Sequence, residues 1–130
     1  MKPIVVVAAV IERDETFLVT LRPAGTHLAG CWEFPGGKVH DHENHFQALR
    51  REVFEELDAV VEVGELMHTI THRYPEKTIE LFFYRCTIEG EPKPMMGQDM
   101  RWVRRSELAT LPFPEADRDL IGMLSDKTPS

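Results

Sequence analysis

The stretch GKVHDHENHFQALRREVFEELD, residues 37 to 58, carries an acidic cluster at helical spacing. Glu52, Glu55 and Glu56 are three and four residues apart, so in an α-helix they emerge on one face and their oxygens can converge on one divalent cation. Two carboxylates about 4 Å apart repel by roughly 4 kcal/mol at an effective dielectric near 20, and bound Mg²⁺ turns this repulsion into attraction. Taken alone, the triplet is more simply a solvated acidic face paired with Arg50 and Arg51.

The same stretch contains the start of this helix. Asn44 is a capping residue, and Gln47, three positions later, completes a capping box. The apolar stripe of the helix consists of Phe46, Leu49, Val53 and Leu57. We expect this stripe to anchor the helix against a sheet, which leaves the acidic stripe facing a cleft.

A glycine pair precedes the helix. Gly36 and Gly37 end the segment WEFPGGK at 32–38, and glycines at such a point can bring backbone close to a ligand or metal. From Gly37 the sequence runs through five residues to Glu43 and through seven more to REVFEE at 51–56. This pattern resembles the Nudix box, G-x5-E-x7-R-E-U-x-E-E-x-G-U with U a bulky aliphatic residue, and six of its seven polar or glycine positions are in register.

The resemblance departs from the family pattern at the end of the box. Asp58 stands where the family has glycine, and Ala59 replaces the second bulky aliphatic residue. Asp is among the few side chains that tolerate the left-handed conformation in which helices commonly end. We therefore expect the helix to end here without glycine, with its carboxylates retained.

The remaining sequence predicts strands over 4–11, 17–22, 60–73, 78–88 and 100–103, because apolar segments there are separated by turn residues. Ser106 is expected to cap a helical turn over 107–111, and Pro114 to open a final amphipathic helix reaching about residue 124. Strand pairs with a central and a closing helix predict an α/β fold, a three-layer α/β/α sandwich with a mixed β-sheet. The Nudix fold has this arrangement.

Length and composition limit the class of protein. A chain of 130 residues, 42% hydrophobic, fits one globular domain over 1–130. Cys31 and Cys86 form no C-x-x-C pair, which favours reduced thiols and a cytoplasmic location. The apolar run near the N-terminus spans only about eight residues, too short for a bilayer. With a net charge of −7 and no Lys/Arg cluster, neither a membrane nor polymeric nucleic acid is expected as a partner.

Outside the box the chain is similar to MutT-type members of the family over nearly its whole length. The segments at 8–14 and 21–24 are somewhat closer to the CTP and modified-dCTP pyrophosphohydrolases of that group. The resemblance implies hydrolysis of nucleoside triphosphates to nucleoside monophosphate and pyrophosphate, dependent on Mg²⁺ or else Mn²⁺. We expect cytosine nucleotides to be slightly favoured over 8-oxo-dGTP as substrates, and we expect the protein to sanitise the nucleotide pool. A monomer and a homodimer both remain open.

The resemblance also assigns roles to the box residues. Its metal ligands would be the carbonyl of Gly37 and the carboxylates of Glu52, Glu55 and Glu56. Arg51 would orient Glu52, and Glu43 would support the box at the helix entrance. An additional family glutamate corresponds to Met96 here, so Asp99 is the substitute metal ligand, and Glu52 is the alternative candidate for the base. Asp99 could equally be a turn residue after Gly97.

Substrate contacts follow from the same resemblance. The candidate phosphate contacts are Arg22, Lys38 and, more weakly, Lys77, each of which could instead be a surface charge. The candidate base-pocket residues are His27, Leu28, Phe34, Tyr74 and Asp117.

Two of the base-pocket candidates have a plainer interpretation. Phe34 fits the core as well as a stacking face. Asp117 replaces the Asn of 8-oxoguanine-directed members; an ionised Asp only accepts hydrogen bonds, which suits the cytosine amino group. It could otherwise compensate charge at a helix N-terminus near Pro114.

Other functions remain open at this point. One is a non-catalytic base-recognition module of the kind that adenine glycosylases use, and another is a Nudix hydrolase of ADP-ribose or a dinucleoside polyphosphate. The intact box glutamates and the MutT-like flanks favour the pyrophosphohydrolase. His40, His42 and His45 are interpreted as exposed polar residues rather than zinc ligands.

Overall fold

The computed structural model describes residues 2–26 and 28–125. Its strands are β1 Ile4–Arg13, β2 Thr16–Leu21, β3 Trp32–Glu33, β4 Gly36–Lys38, β5 Val60–Arg73, β6 Thr78–Glu89 and β7 Met100–Arg104. Its helices are α1 His45–Leu57, α2 Arg105–Leu108 and α3 Arg118–Ser125, with a 3-10 turn at Glu115–Asp117. Within the described ranges, every helix is too short or too polar to cross a membrane.

Strand β1 organises the sheet because it pairs with three other strands. It runs parallel to β6 from Ile4↔Ile79 to Ile11↔Cys86, and β6 continues antiparallel to β5. The other edge of β1 pairs with β4 and, further along, with β2, which in turn pairs with β3 and β7. The aliphatic run of β1 is buried from Val7 to Ile11, as expected for a strand covered on both faces.

Two apolar cores lie on opposite faces of this sheet. On one face, Leu49, Val53 and Leu57 of α1 pack with residues of β1, β5 and β6. On the other, Leu120 and Leu124 of α3 pack with Phe17, Phe83 and their neighbours. The result is a three-layer α/β/α arrangement around a mixed sheet, so the predicted fold class is confirmed.

The ends of α1 follow the sequence closely. The side chain of Asn44 accepts a hydrogen bond from the Gln47 amide, and the Gln47 side chain accepts one from the Asn44 amide, both at 2.8 Å. Asp58 adopts φ 52° and ψ 41° and donates its amide to the Phe54 carbonyl at 3.0 Å. The capping box and the left-handed helix end are therefore confirmed.

Some local predictions were wrong. Phe46 is 44% exposed, although its ring contacts Tyr84, whereas Ala48 is the fully buried residue in this part of α1. Ser106 lies inside α2, which is capped at Arg104 instead. The final helix begins at Arg118, because the Asp117 amide bonds to the Pro114 carbonyl three residues back and forms a 3-10 turn first.

Candidate active site

The glycine pair of β4 lies against α1 and β1. A Cβ atom at Gly37 would stand 2.4 Å from the carboxyl carbon of Glu52, and one at Gly36 would stand 2.0 Å from the Val7 carbonyl oxygen. The Gly36 amide donates to Glu56 Oε2 at 3.2 Å. Only glycine at 37 lets the Glu52 carboxylate rest on the strand, so the pair brings backbone and carboxylates together.

Arg51 is the counter-charge of the box. Its guanidinium donates to Glu43 at 2.6 and 3.1 Å, to Glu52 at 3.0 Å and to Glu55 at 3.3 Å. It also donates to the Lys38 carbonyl at 3.0 Å, which ties α1 to β4. The hydrogen bonds from Arg51, with a smaller one from the His40 amide, lower the pKa of Glu43 to about 2.

The pKa values of Glu52 and Glu56, the carboxylates that contact β4, are shifted in the opposite direction. Burial, followed by the charges of Glu52, Glu33 and Glu55, raises the pKa of Glu56 to about 8. Burial also raises the pKa of Glu52, although the hydrogen bond from Arg51 opposes it. Crowded, partly buried carboxylates of this kind are stabilised by a nearby divalent cation, which supplies the charge that they lack.

The donor set fits a hard cation, but the side chains are not gathered around one point. Within residues 2–26 and 28–125, no three His, Cys, Asp or Glu side chains form a ready metal-binding group. Arg51 engages Glu52 and Glu55, and the side chain of Glu55 is 54% exposed, whereas Glu56 turns toward the Gly36 amide. Full convergence of the three carboxylates is thus not present, although their oxygen chemistry and excess charge suit a divalent ion.

A cavity of about 380 Å³ opens beside this cluster. Its wall includes Gly36 and Gly37, so the cavity and the box share β4. The predicted substrate residues that line it are Arg22, Leu28, Phe34, Lys38, Tyr74, Lys77 and Asp117. His27, the remaining candidate, lies outside the described residues. The fold therefore brings together segments that are far apart in sequence.

Glu33 is a cavity residue that the sequence analysis missed. It is partly buried, ion-paired to Arg22 at 2.5 Å, and its pKa is raised by burial. Its charge acts on both Glu56 and Asp117, and its side chain lines the cavity. Arg22, expected to face phosphates, thus has Glu33 as a partner. The available signal was a carboxylate set between Trp32 and Phe34, two large apolar residues.

Asp117 differs from the ionised acceptor that the sequence suggested. It is only 5% exposed, and burial together with the charge of Glu33 raises its pKa to about 7. Near neutral pH its carboxyl group is therefore present in both forms, and the protonated form can donate a hydrogen bond.

The aromatic candidates have mixed surroundings. Phe34 is 4% exposed, with Phe113 stacked on its ring at 5.6 Å between centroids and Phe83 at its edge, so it belongs to the core and also lines the cavity. The Lys77 ammonium lies 5.9 Å from the Tyr74 ring centre, and both residues line the cavity.

Asp99, the predicted substitute for the missing family glutamate, has no side-chain contact with the glutamates of α1 among the described residues. Asp99 is exposed, and its carbonyl accepts the Leu21 amide at 3.0 Å. Among the described residues, its carboxylate has no hydrogen bond or ion pair, which fits the turn interpretation. Met96 is 74% exposed. His45, expected to be exposed, is instead half-buried, and its Nδ1 lies 2.7 Å from the Tyr84 hydroxyl.

Comparison with known proteins identifies the family. Residues 6–123 match the family described as NUDIX domain. The chain belongs to the Nudix family. This Nudix chain is 40% identical over 130 residues to an 8-oxo-dGTP diphosphatase of Haemophilus influenzae, covering 98% of the chain and 96% of that relative. It is 38% identical over 122 residues to a CTP pyrophosphohydrolase of Escherichia coli, covering 93% and 90%.

Solved structures agree with this assignment. The Nudix chain superposes on the E. coli ORF135 protein with a TM-score of 0.82 and 38% identity, covering 95% of the chain and 87% of that structure. A MutT NUDIX hydrolase from Burkholderia pseudomallei gives a TM-score of 0.84 at 28% identity, covering 94% and 98%. The predicted family and enzyme class, a Nudix pyrophosphohydrolase, are confirmed, and Nudix hydrolases generally need a divalent metal.

Proposed function

We propose that this Nudix hydrolase converts nucleoside triphosphates to nucleoside monophosphate and pyrophosphate with Mg²⁺, or with Mn²⁺ in its place, and sanitises the cytoplasmic nucleotide pool. The observation that carries this proposal is the shared wall at β4. Gly36 and Gly37 contact the acidic helix and also line the cavity that holds Asp117. A nucleotide in that cavity would present its phosphates to the carboxylates.

The box residues divide the work of the reaction. Glu52, Glu55, Glu56 and the Gly37 carbonyl would hold the metal, which lowers the pKa of bound water and neutralises phosphoryl charge. Arg51 keeps Glu52 in place, and Glu43 keeps Arg51 in place. Glu52 is the proposed acceptor of the water proton, because Arg51 holds its carboxylate beside Gly37. Among the described residues, Asp99 has no side-chain contact with the cluster.

The lysines that line the cavity suit the phosphates. Lys38 is exposed at the end of β4, and Lys77 lies beside Tyr74. Arg22 serves the substrate more indirectly, since its guanidinium pairs with Glu33. We assign Lys38 and Lys77 to the phosphates and assign Arg22 to setting the charge of Glu33.

Two acidic groups, Glu33 and Asp117, favour a base that presents amino hydrogens. Ionised Asp117 accepts from the cytosine N4 amine, whereas protonated Asp117 can donate to a guanine O6. We therefore propose a slight preference for CTP and 5-methyl-dCTP over 8-oxo-dGTP that widens as pH rises through about 7. The names of the relatives support both substrate types.

One assay tests the proposal. The protein is incubated with canonical, methylated and oxidised nucleotides, with ADP-ribose included, and pyrophosphate and phosphate release are measured with Mg²⁺ and with chelator. We expect chelator-sensitive pyrophosphate release and a cytosine preference that is larger near pH 8 than near pH 6. Turnover of ADP-ribose alone would replace the proposed substrate class, and undiminished turnover by Glu56→Gln would remove the box from the reaction.

The base preference has its own control. Asp117→Asn cannot change its charge, so the ratio of the two activities should become independent of pH in that variant. A ratio that still changes with pH in Asp117→Asn would assign the effect to another group. The charge of Glu33 acts on Asp117, and Asp117 in turn acts on Tyr74, on which Arg22, Cys31 and Glu115 also act.

A further inference from the structure

The last turn of α1 is held by the loop between β6 and β7, residues 90–99. The Leu57 carbonyl accepts the Lys93 amide at 2.8 Å, and the Glu56 carbonyl accepts the Met95 amide at 3.0 Å. A second donor, Gln98 Nε2, reaches the Glu56 carbonyl at 3.1 Å. Carbonyls at a helix C-terminus ordinarily lack partners within the helix, so here a distant loop supplies them.

The side chain of Gln98 links the loop to the last turn of α1. Its Oε1 accepts the Met96 amide at 2.9 Å while its Nε2 donates to Glu56, so one amide group bridges the loop and the helix. The next residue, Asp99, is fixed to β2 through the Leu21 amide at 3.0 Å. Gln98 therefore connects the sheet-anchored end of the loop with the helix that carries the carboxylates.

Glu56 is consequently held at both ends. Its carbonyl is bonded to the loop, and its carboxylate accepts the Gly36 amide at 3.2 Å. The charges of Glu52, Glu33 and Glu55 all act against that carboxylate, and the helix ends only two residues later at Asp58. Without the loop, the last turn could fray and carry Glu56 away from β4.

We propose that Gln98 is a positioning residue that holds the Glu56 carboxylate against β4 for binding of the divalent cation. The inference rests on the proposed function, in which Glu56 is a metal ligand. The loop residue Met96 has no carboxylate that could bind the cation. The loop instead supports the site through the side-chain amide of Gln98, which donates to the Glu56 carbonyl.

The test uses two variants of the full chain. Gln98→Met has a side chain of similar size and removes both hydrogen bonds. Gln98→Glu keeps the acceptor for the Met96 amide and loses the donor to the Glu56 carbonyl. The matched control is Glu91→Gln, an exposed residue of the same loop that faces Arg13. The first measurement is the NMR chemical shift of the Gly36 amide, the direct partner of the Glu56 carboxylate. The second is the affinity of Gln98→Met for Mn²⁺, followed by water proton relaxation.

We expect the Gly36 resonance to move in both Gln98 variants, and Mn²⁺ binding by Gln98→Met to weaken roughly three- to ten-fold, the factor for losing a neutral hydrogen bond. Glu91→Gln should match the wild type in both measurements. An unchanged Gly36 resonance with wild-type Mn²⁺ affinity would overturn the inference. Global unfolding of both Gln98 variants would also overturn it, because Gln98 would then hold the fold as a whole.

Failure of the proposed function gives a different result. If the wild-type protein bound Mn²⁺ but hydrolysed no nucleoside triphosphate, the substrate would be wrong while the two Gln98 measurements would still apply. If the wild type bound no Mn²⁺, the metal role of Glu56 would fail and this inference would fall with it.

Discussion

Asp117 shows at the scale of one residue how burial sets charge. Its pKa rises from 3.8 to about 7 because the folded protein removes the carboxylate from water and places Glu33 nearby. The folded state thus keeps a proton that the unfolded chain releases at lower pH. The contribution of this protonated carboxyl to the free energy of unfolding is fully present below about pH 4 and is lost as pH rises through 7.

We expect Asp117→Asn to remove this pH dependence. Between about pH 5 and pH 8 the group should cost the wild type roughly 2 to 3 kcal/mol of unfolding free energy, which the Asn variant should not lose. Urea unfolding of both proteins in chelator, at several pH values, measures the difference. Parallel stability curves for the two proteins would show that Asp117 is ionised without penalty.

The glycine pair separates a structural residue from a functional one. A methyl group at Gly37 meets the end of the Glu52 side chain, which can move, whereas one at Gly36 meets the Val7 backbone, which cannot. We expect Gly37→Ala to fold and to lose roughly ten-fold or more of its activity. Gly36→Ala should lose on the order of 3 to 5 kcal/mol of stability.

Thermal unfolding and pyrophosphate release together measure this contrast. Gly122→Ala is the matched control, because the added Cβ meets nothing within 4 Å and lies in α3. That control should be neutral or more stable by up to about 1 kcal/mol. Full activity in Gly37→Ala would mean that the Glu52 carboxylate need not lie on β4.

At the scale of the element, α1 ends on a residue under backbone strain. Asp58 holds φ 52° where glycine would be unstrained. We expect Asp58→Gly to stabilise the protein by roughly 0.5 to 1 kcal/mol and Asp58→Ala to destabilise it by a similar amount. Urea unfolding of the two variants checks the signs. A loss of stability in Asp58→Gly would indicate that the Asp side chain stabilises the turn.

The elements also show which features the sequence could predict. The ends of α1 depend on residues three or four positions apart, so Asn44, Gln47 and Asp58 were correctly interpreted from local pattern. The final helix was placed too early because a proline start and a 3-10 turn have the same local signature at Pro114. Phe46 has the spacing of a core residue but lies beyond the covered part of the helix.

The candidate site was predictable where a motif carried it. Glu43, Arg51 and Glu52 are brought together as the box suggested. Glu33 and Gln98 were missed because their partners are remote in sequence and join them only after the sheet forms.

The whole molecule carries a net charge of −7, and the crowding of Glu56 with Glu52, Glu33 and Glu55 is an unfavourable part of it. We expect Mg²⁺ to raise the unfolding midpoint, with about 2.7 kcal/mol of stabilisation when the ion is at 100 times its dissociation constant. Glu56→Gln should be more stable than the wild type in chelator, since the amide needs neither a bound proton nor a buried charge, yet respond less to Mg²⁺.

Differential scanning calorimetry at matched ionic strength measures both effects. Sodium chloride replaces magnesium chloride in the control, so that general screening is equal. Equal Mg²⁺ responses in the wild type and in Glu56→Gln would assign the stabilisation to ions elsewhere on the surface.

The parallel pairing of β1 with β6 joins the first strand of the sheet to residues 79–86. During synthesis on the ribosome, the aliphatic strand β1 therefore cannot pair with β6 until most of the chain has been made. Contacts of such long sequence separation slow folding, and hydrophobic segments stay exposed to aggregation until they form. Production of this protein in cells should consequently depend on chaperone capacity more than its small size suggests.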